Sequence, residues 1–117
     1  MTTSHSWPEF HQEVMEMMGK YGKEAPKTME AFAALHEQGS KDSAISSKTK
    51  ELIALGIGIA VRCEGCIAFH VHDALKAGAT KKEIVDTIGV AILMGGGPAV
   101  MYGTKALDAL EQFENNK

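Results

Sequence analysis

The chain has 117 residues, 44% hydrophobic and 23% charged, with 12 Lys and Arg against 15 Asp and Glu and a formal net charge of -3. That length suits one domain, 1–117, and the composition excludes a disordered or collagen-like chain. No cationic excess offers a general surface to nucleic acid or an anionic membrane, so neither is an expected partner.

The start, Met1 to Pro8, has no basic run followed by an apolar one, so no secretory signal is expected. The longest apolar stretch, Leu52 to Val61, falls well short of the roughly 20 residues a spanning helix needs. The expected compartment is the cytoplasm, where thiols are kept reduced.

In chain order, the first predicted element is an amphipathic helix carrying Phe10, Val14, Met17, Met18 and Tyr21, with Ser6 before it and Gly19 and Gly22 closing it. Pro8 fits its first turn, where no backbone donor is needed. A second helix is expected from Pro26 to Gln38, with Met29, Phe32, Ala33 and His36 on one side and Gly39 at its end. Ser40 to Ser47 reads as a polar loop ending in a capping serine.

Lys48 to Val61 carries two signals. Leu55, Ile57, Ile59 and Val61 alternate as in a strand, and Gly56 and Gly58 are poor helix formers. Yet Lys48-Thr-Lys-Glu-Leu-Ile-Ala-Leu opens like a helix, and no second strand offers a partner. A buried helix with small residues for close packing is the expectation. The segment from Cys63 to Gly78 is again helical. Thr80-Lys-Lys-Glu83 is a capping box before a helix with Ile84, Ile88, Ala91 and Ile92 on its apolar face. Gly95-Gly-Gly-Pro98 breaks that helix and Pro98 starts the last one, with Met101, Tyr102, Leu107, Leu110 and Phe113. The glycines lack the strand and spacing of a dinucleotide fingerprint. The methionines read mostly as core filler, with Met17, Met18 and Met101 offered as a subunit contact. Trp7 has no evident role. Five or six helices make an all-α single-domain bundle with no internal repeat.

The chemistry concentrates in one place. Both cysteines fall in Cys63-Glu-Gly-Cys66, a spacing two randomly placed cysteines would show about 2% of the time. In a reducing compartment such a pair is more often redox-active or metal-binding than structural. On a helix starting near Cys63, residues 63, 66 and 70 share a face. The positive end of the helix dipole favours thiolate there, and His70 can carry a proton. Cys63 is near enough to close a disulfide onto an oxidised Cys66. A buried cysteine pair beside a core histidine is the plain alternative. His72 lies about 200° around from the cluster, so a surface or packing role is expected. Cys63, Cys66 and His70 could offer three zinc ligands, but no second Cys pair or well-spaced His completes a closed site, which an acidic ligand or a neighbouring subunit would have to do. No metal and no cofactor is therefore assigned. Glu51 would sit about 18 Å from Cys63 along one straight helix. By spacing alone it reads as a first-turn acid complementing the dipole; a break near Arg62, or packing against the next helix, would be needed to return it to the cysteines.

Glu51, eleven residues, then Cys63-Glu-Gly-Cys66-Ile-Ala-Phe-His70 resembles the core of the AhpD-like alkylhydroperoxidases in the carboxymuconolactone decarboxylase superfamily. Gly78-Ala-Thr80, Lys81-Lys-Glu-Ile-Val and Met94-Gly-Gly-Gly-Pro98 extend the resemblance over residues 45–105. It implies an all-α fold completed by homo-oligomerisation, as trimer or hexamer. It implies Cys66 as the peroxidatic cysteine, Cys63 as the resolving one, His70 as proton carrier, and Glu51 as the acid that orients His70. The implied activity is a thiol-dependent peroxidase or disulfide reductase acting on a hydroperoxide and re-reduced by a thioredoxin-like or lipoyl-bearing protein. Gly65 stands where the best-known members place a further histidine. A non-enzymatic redox sensor or binding module using the same pair is the competing class. Decarboxylation of a small lactone acid is a third, although superfamily members with that activity lack the cysteine pair.

Overall fold

The structure, a computed structural model, describes residues 6–115. The reading of Met1 to Pro8 as free of a secretory signal falls mostly on residues 1–5, outside the described residues. Six helices follow one another: α1 (Trp7–Glu24), α2 (Pro26–Ser40), α3 (Ser47–Ala60), α4 (Glu64–Lys76), α5 (Lys81–Gly95) and α6 (Gly97–Asn115). Among the described residues there is no strand, and none of their helices is long and apolar enough to cross a membrane.

The ambiguous segment is a helix because its start is capped and its buried residues follow a helical period. The Ser46 hydroxyl accepts the Thr49 amide, which satisfies one orphan donor of the first turn. Glu51, Leu55, Gly58 and Ile59 are buried, a stripe at i, i+4, i+7 and i+8. The apparent alternation is split by this geometry. Leu55 and Ile59 face inward, while Ile57 and Val61 remain 58% and 63% exposed.

Three helices surround α3 and share its core. It packs most extensively on α4 and α5, and α6 closes the bundle against all three. Leu55, Ile59, Ile67, Val71, Ile84 and Leu110 are fully buried, each stabilising the fold by about 1.5–3 kcal/mol relative to exposure. The inward face of α6 is narrower than expected. Ala99, Gly103, Ala106 and Ala109 line it with Leu110, while Met101 and Leu107 stay exposed. Small residues let α6 lie close, and a β-carbon on Gly103 would come 2.8 Å from Ile88. The capping box on α5 forms as expected, with Thr80 and Glu83 bonding each other's backbone amides.

Chain reversals are local devices. At the end of α3 the Cys63 amide bonds the Gly58 carbonyl and the Arg62 amide bonds the Ile59 carbonyl. This is a Schellman arrangement, with Arg62 at φ 62° in the position glycine normally takes. At the end of α4 the same pattern recurs through Ala79 to Ala74 and Gly78 to Leu75, with Gly78 at φ 97°. Gly96, at φ 70° and ψ -151°, makes the α5–α6 break; only glycine adopts that backbone freely.

The N-terminal pair departs most from the sequence reading. α1 runs through Gly19 and Gly22 to Glu24. Of its expected stripe, Phe10 alone packs half-buried against the core. Phe10, Val14, Met17, Met18 and Tyr21 line an open groove of about 410 Å³ with Met29 of α2. No residue of α2 is buried, and Phe32 and Leu35 are exposed, because α2 packs mainly on α1 and lightly on α3. The expected loop is shorter than Ser40–Ser47, since α2 reaches Ser40 and Ser46 is the cap. Among the described residues no methionine belongs to the buried core, and Met15, Met17, Met94 and Met101 are exposed. Trp7, which the sequence left without a role, is 1% exposed and is part of the core. Its indole donates to Asp108 at 3.0 Å and its amide to Gln112 at 2.7 Å, tying α1 to α6.

Candidate active site

Cys63 and Cys66 form a disulfide at the start of α4. Cys63 is the N-cap, with extended backbone, and its sulfur accepts the Cys66 amide at 3.1 Å. Both cysteines are partly exposed. A helix N-terminus presents amide donors and the positive end of a dipole, so negative charge on either sulfur is favoured when the bond is opened. Glu64 in the first turn of α4 pairs with Lys105 of α6 at 3.0 Å, which holds this end of α4 against α6.

Two features place Cys66. The Schellman turn at Arg62 folds α4 back along α3. Gly58 then admits it, for a β-carbon there would lie 2.9 Å from the Cys66 Cβ, closer than carbon atoms approach without displacement. Sequence reasoning credited the small residues of this segment with close packing and did not single out Gly58; its place on the Glu51–Leu55–Gly58 stripe was the available signal.

The same fold-back resolves the Glu51 distance. Glu51 is not in the first turn of its helix, so the dipole reading is corrected. Glu51 is 5% exposed, and its Oε1 lies 2.7 Å from Nδ1 of His70. An ionised carboxylate only accepts, so this contact suits an Nδ1–H donor on His70 and leaves Nε2 to exchange a proton. His70 follows Cys66 by one turn on the same face of α4. The fold therefore brings Glu51 to His70 and keeps His70, Cys66 and Cys63 on one stretch of α4.

His72 lies apart from this cluster. Its ring stacks on His11 of α1 at 4.3 Å between centroids and its Nδ1 is 2.8 Å from Asp73 Oδ1. Phe69 and Phe113 complete an aromatic box around the two rings. Burial lowers the pKa of His11, helped by the neighbouring His72 and opposed by Asp73.

Comparison with known proteins now adds identity to geometry. Residues 26–109 match the carboxymuconolactone decarboxylase family. A Haemophilus influenzae protein is 37% identical over 103 residues, covering 88% of this chain and 91% of that one. One from Cupriavidus necator is 34% identical over 95 residues, covering 81% and 84%. Among solved structures, a carboxymuconolactone decarboxylase family protein from Legionella pneumophila superposes with TM-score 0.88 at 40% identity, covering 92% of this chain and 96% of that one. A Thermotoga maritima structure gives TM-score 0.82 at 23% identity, covering 90% of each chain. At that identity the likeness is one of fold; for that protein, involvement in an antioxidative response is suggested.

Proposed function

The chain belongs to the carboxymuconolactone decarboxylase family, and from that premise we propose that it is a thiol-dependent peroxidase or disulfide reductase of the alkylhydroperoxidase type. The observation that carries the reading is the Cys63–Cys66 disulfide at a helix N-terminus, one turn from a histidine whose Nδ1 is held by a buried carboxylate. That assembly supports the reading because peroxide reduction by thiols needs a partly exposed cysteine, a second one within bonding reach, and a proton carrier beside them.

In this reading Nε2 of His70 takes the thiol proton of Cys66. The thiolate attacks one oxygen of the hydroperoxide, the O–O bond breaks, and the alkoxide leaves with the proton His70 returns. Cys66 is then a sulfenic acid. The Cys63 thiol attacks its sulfur, hydroxide departs as water, and the disulfide closes. Two electrons from a dithiol, thioredoxin-like or lipoyl-bearing, reopen it. Glu51 keeps His70 oriented throughout.

The test begins with reduced protein freed of reductant under anaerobic conditions. One equivalent of an organic hydroperoxide should remove both thiols and lower the mass by about two hydrogens. Addition of a dithiol donor should then sustain turnover, and Cys66→Ser should abolish it. Thiols that persist would overturn the reading. Stoichiometric oxidation without turnover on any dithiol would make the pair a redox sensor, and lactone decarboxylation surviving Cys66→Ser would favour that chemistry.

The same proposal includes a homo-oligomer. Its physical support is an open groove of about 360 Å³ between α3 and α5, bordered by the exposed apolar side chains Ile53, Ile57, Val90 and Met94. Contiguous apolar surface of this kind marks interaction sites. Sedimentation should give a multiple of the 12.6 kDa chain, and Ile57→Glu should reduce it.

A further inference from the structure

Besides the cysteine pair, three helices converge on a second cluster that the redox reading does not use as a whole. His36 of α2, Glu51 of α3 and Asp73 of α4 each bring one donor atom within 4.8 Å of the others. We propose that these three side chains bind a single divalent transition-metal ion of the Zn²⁺ type.

The donor chemistry fits. One imidazole nitrogen and two carboxylate oxygens form a borderline set suited to such ions, and two carboxylates balance a dication. Ligand bonds of about 2.0–2.2 Å put neighbouring donors roughly 3–3.6 Å apart, so from separations of up to 4.8 Å the cluster must tighten by up to about 1.2–1.8 Å to close. His36 is exposed and has the rotamer freedom to move in. The remaining coordination positions fall to solvent, the open arrangement of three protein ligands.

A second observation is independent of the convergence. The two carboxylates are already fixed from behind. Nδ1 of His70 holds Glu51 Oε1 at 2.7 Å, and Nδ1 of His72 holds Asp73 Oδ1 at 2.8 Å. Each bond takes one oxygen and leaves the other. Ligating carboxylates in metal sites are hydrogen-bonded in this way, which fixes their orientation before the ion arrives. Glu51 adds an electrostatic argument. It is 5% exposed, and among the described residues the ion-pair partners of Glu51 and Asp73 are histidines alone, with no Lys or Arg. The two carboxylates converge where Glu51 is buried, Asp73 half-buried and His36 exposed, and without a fixed cation their charges repel each other. A dication removes that repulsion.

Glu51 would then serve both sites, holding the ion with one oxygen and His70 with the other. The proposal itself needs no thiol chemistry, so its failure leaves the redox reading standing.

The experiment uses the full chain in its disulfide form, so that free thiols cannot compete for metal. Zn²⁺ is titrated calorimetrically and Co²⁺ is followed by its visible absorption. One ion per chain should bind, and His36→Ala and Asp73→Asn should each weaken binding by about tenfold or more. His36 is exposed, so its variant should keep the helical signal and melting temperature of the parent. The Cys63→Ser/Cys66→Ser double variant should bind as the parent does. Absence of binding at submillimolar Zn²⁺, or binding undiminished in both His36→Ala and Asp73→Asn, would overturn the proposal; the second result would assign the metal to scattered surface histidines.

Discussion

Glu51 and His70 lie 19 residues apart in the chain and 2.7 Å apart in the fold. The contact joins the second turn of α3 to the middle of α4, and the turn at Arg62 makes it possible. A buried carboxylate without a partner would cost several kcal/mol, so the imidazole also secures Glu51. Glu51→Gln keeps the size of the side chain and can still meet Nδ1–H through its carbonyl, but it removes the negative charge that supports a protonated His70. Peroxide-dependent thiol loss should slow by roughly 10²-fold, while the helical signal persists. A rate within twofold of the parent, measured by stopped-flow thiol titration, would remove Glu51 from the relay.

Gly58 sets the distance between the two site helices. A β-carbon there meets the Cys66 Cβ at 2.9 Å, with Cys66 backbone atoms just beyond. The obstacle is the start of a packed helix rather than the tip of a flexible chain. Gly58→Ala should therefore destabilise the fold by about 1–3 kcal/mol and slow disulfide closure by shifting Cys66. Urea unfolding checks the first effect and the rate of thiol loss the second. A variant as stable as the parent would mean that α4 can slide at no cost.

The two Schellman turns of this chain form an internal comparison. Arg62 and Gly78 occupy the same left-handed position, at φ 62° and 97°. A side chain bearing a β-carbon pays about 1 kcal/mol or more there, which glycine avoids. Arg62→Gly should raise stability by about 0.5–1 kcal/mol, offset in part by the entropy glycine adds to the unfolded chain. Gly78→Ala should lower it by about 1 kcal/mol. Opposite signs in chemical denaturation are the expected outcome. If Arg62→Gly is destabilising, then the Arg62 side chain contributes a contact the backbone argument leaves out.

Most of the bundle was legible because its signals are local. Ser46, the Thr80–Glu83 box, Gly78 and the glycines before Pro98 mark helix ends by their own chemistry, and Ile84, Ile88 and Ala91 repeat with the helical period. The cysteine pair and His70 were legible for the same reason, since they share one helix. Glu51 was not, because its contact depends on how α4 packs on α3. Spacing along one chain carries no information about that angle, and the family resemblance supplied what periodicity lacked. Trp7 was missed for a related reason. Its burial is made by α6, with Asp108 and Gln112 lying 101 and 105 residues away. The apolar stripe of α1 misled in the opposite direction, since an amphipathic face predicts that something covers it, not that the domain core does.

The His11–His72 stack gives the fold a pH dependence whose sign can be worked out. His11 lies between Phe69 and His72 of α4 and Phe113 of α6, with Asp73 the acidic group acting on it. Its pKa is lowered from 6.5, first by burial and then by His72, against the pull of Asp73. The folded protein thus resists a proton that the unfolded chain accepts. Above the unfolded value both states are neutral and the stack contributes fully. As pH falls below 6.5, the unfolded chain gains its proton first, so stability declines until the lowered folded value is passed, and then levels off. The slope from one such group cannot exceed about 1.4 kcal/mol per pH unit. Thermal unfolding with chelator present, at about pH 7.5 and pH 5.5, should show the fall. His11→Phe keeps a ring in the stack and removes the titration, so its melting temperature should drop less over the same interval. Parallel losses in parent and variant would place the pH dependence on other groups.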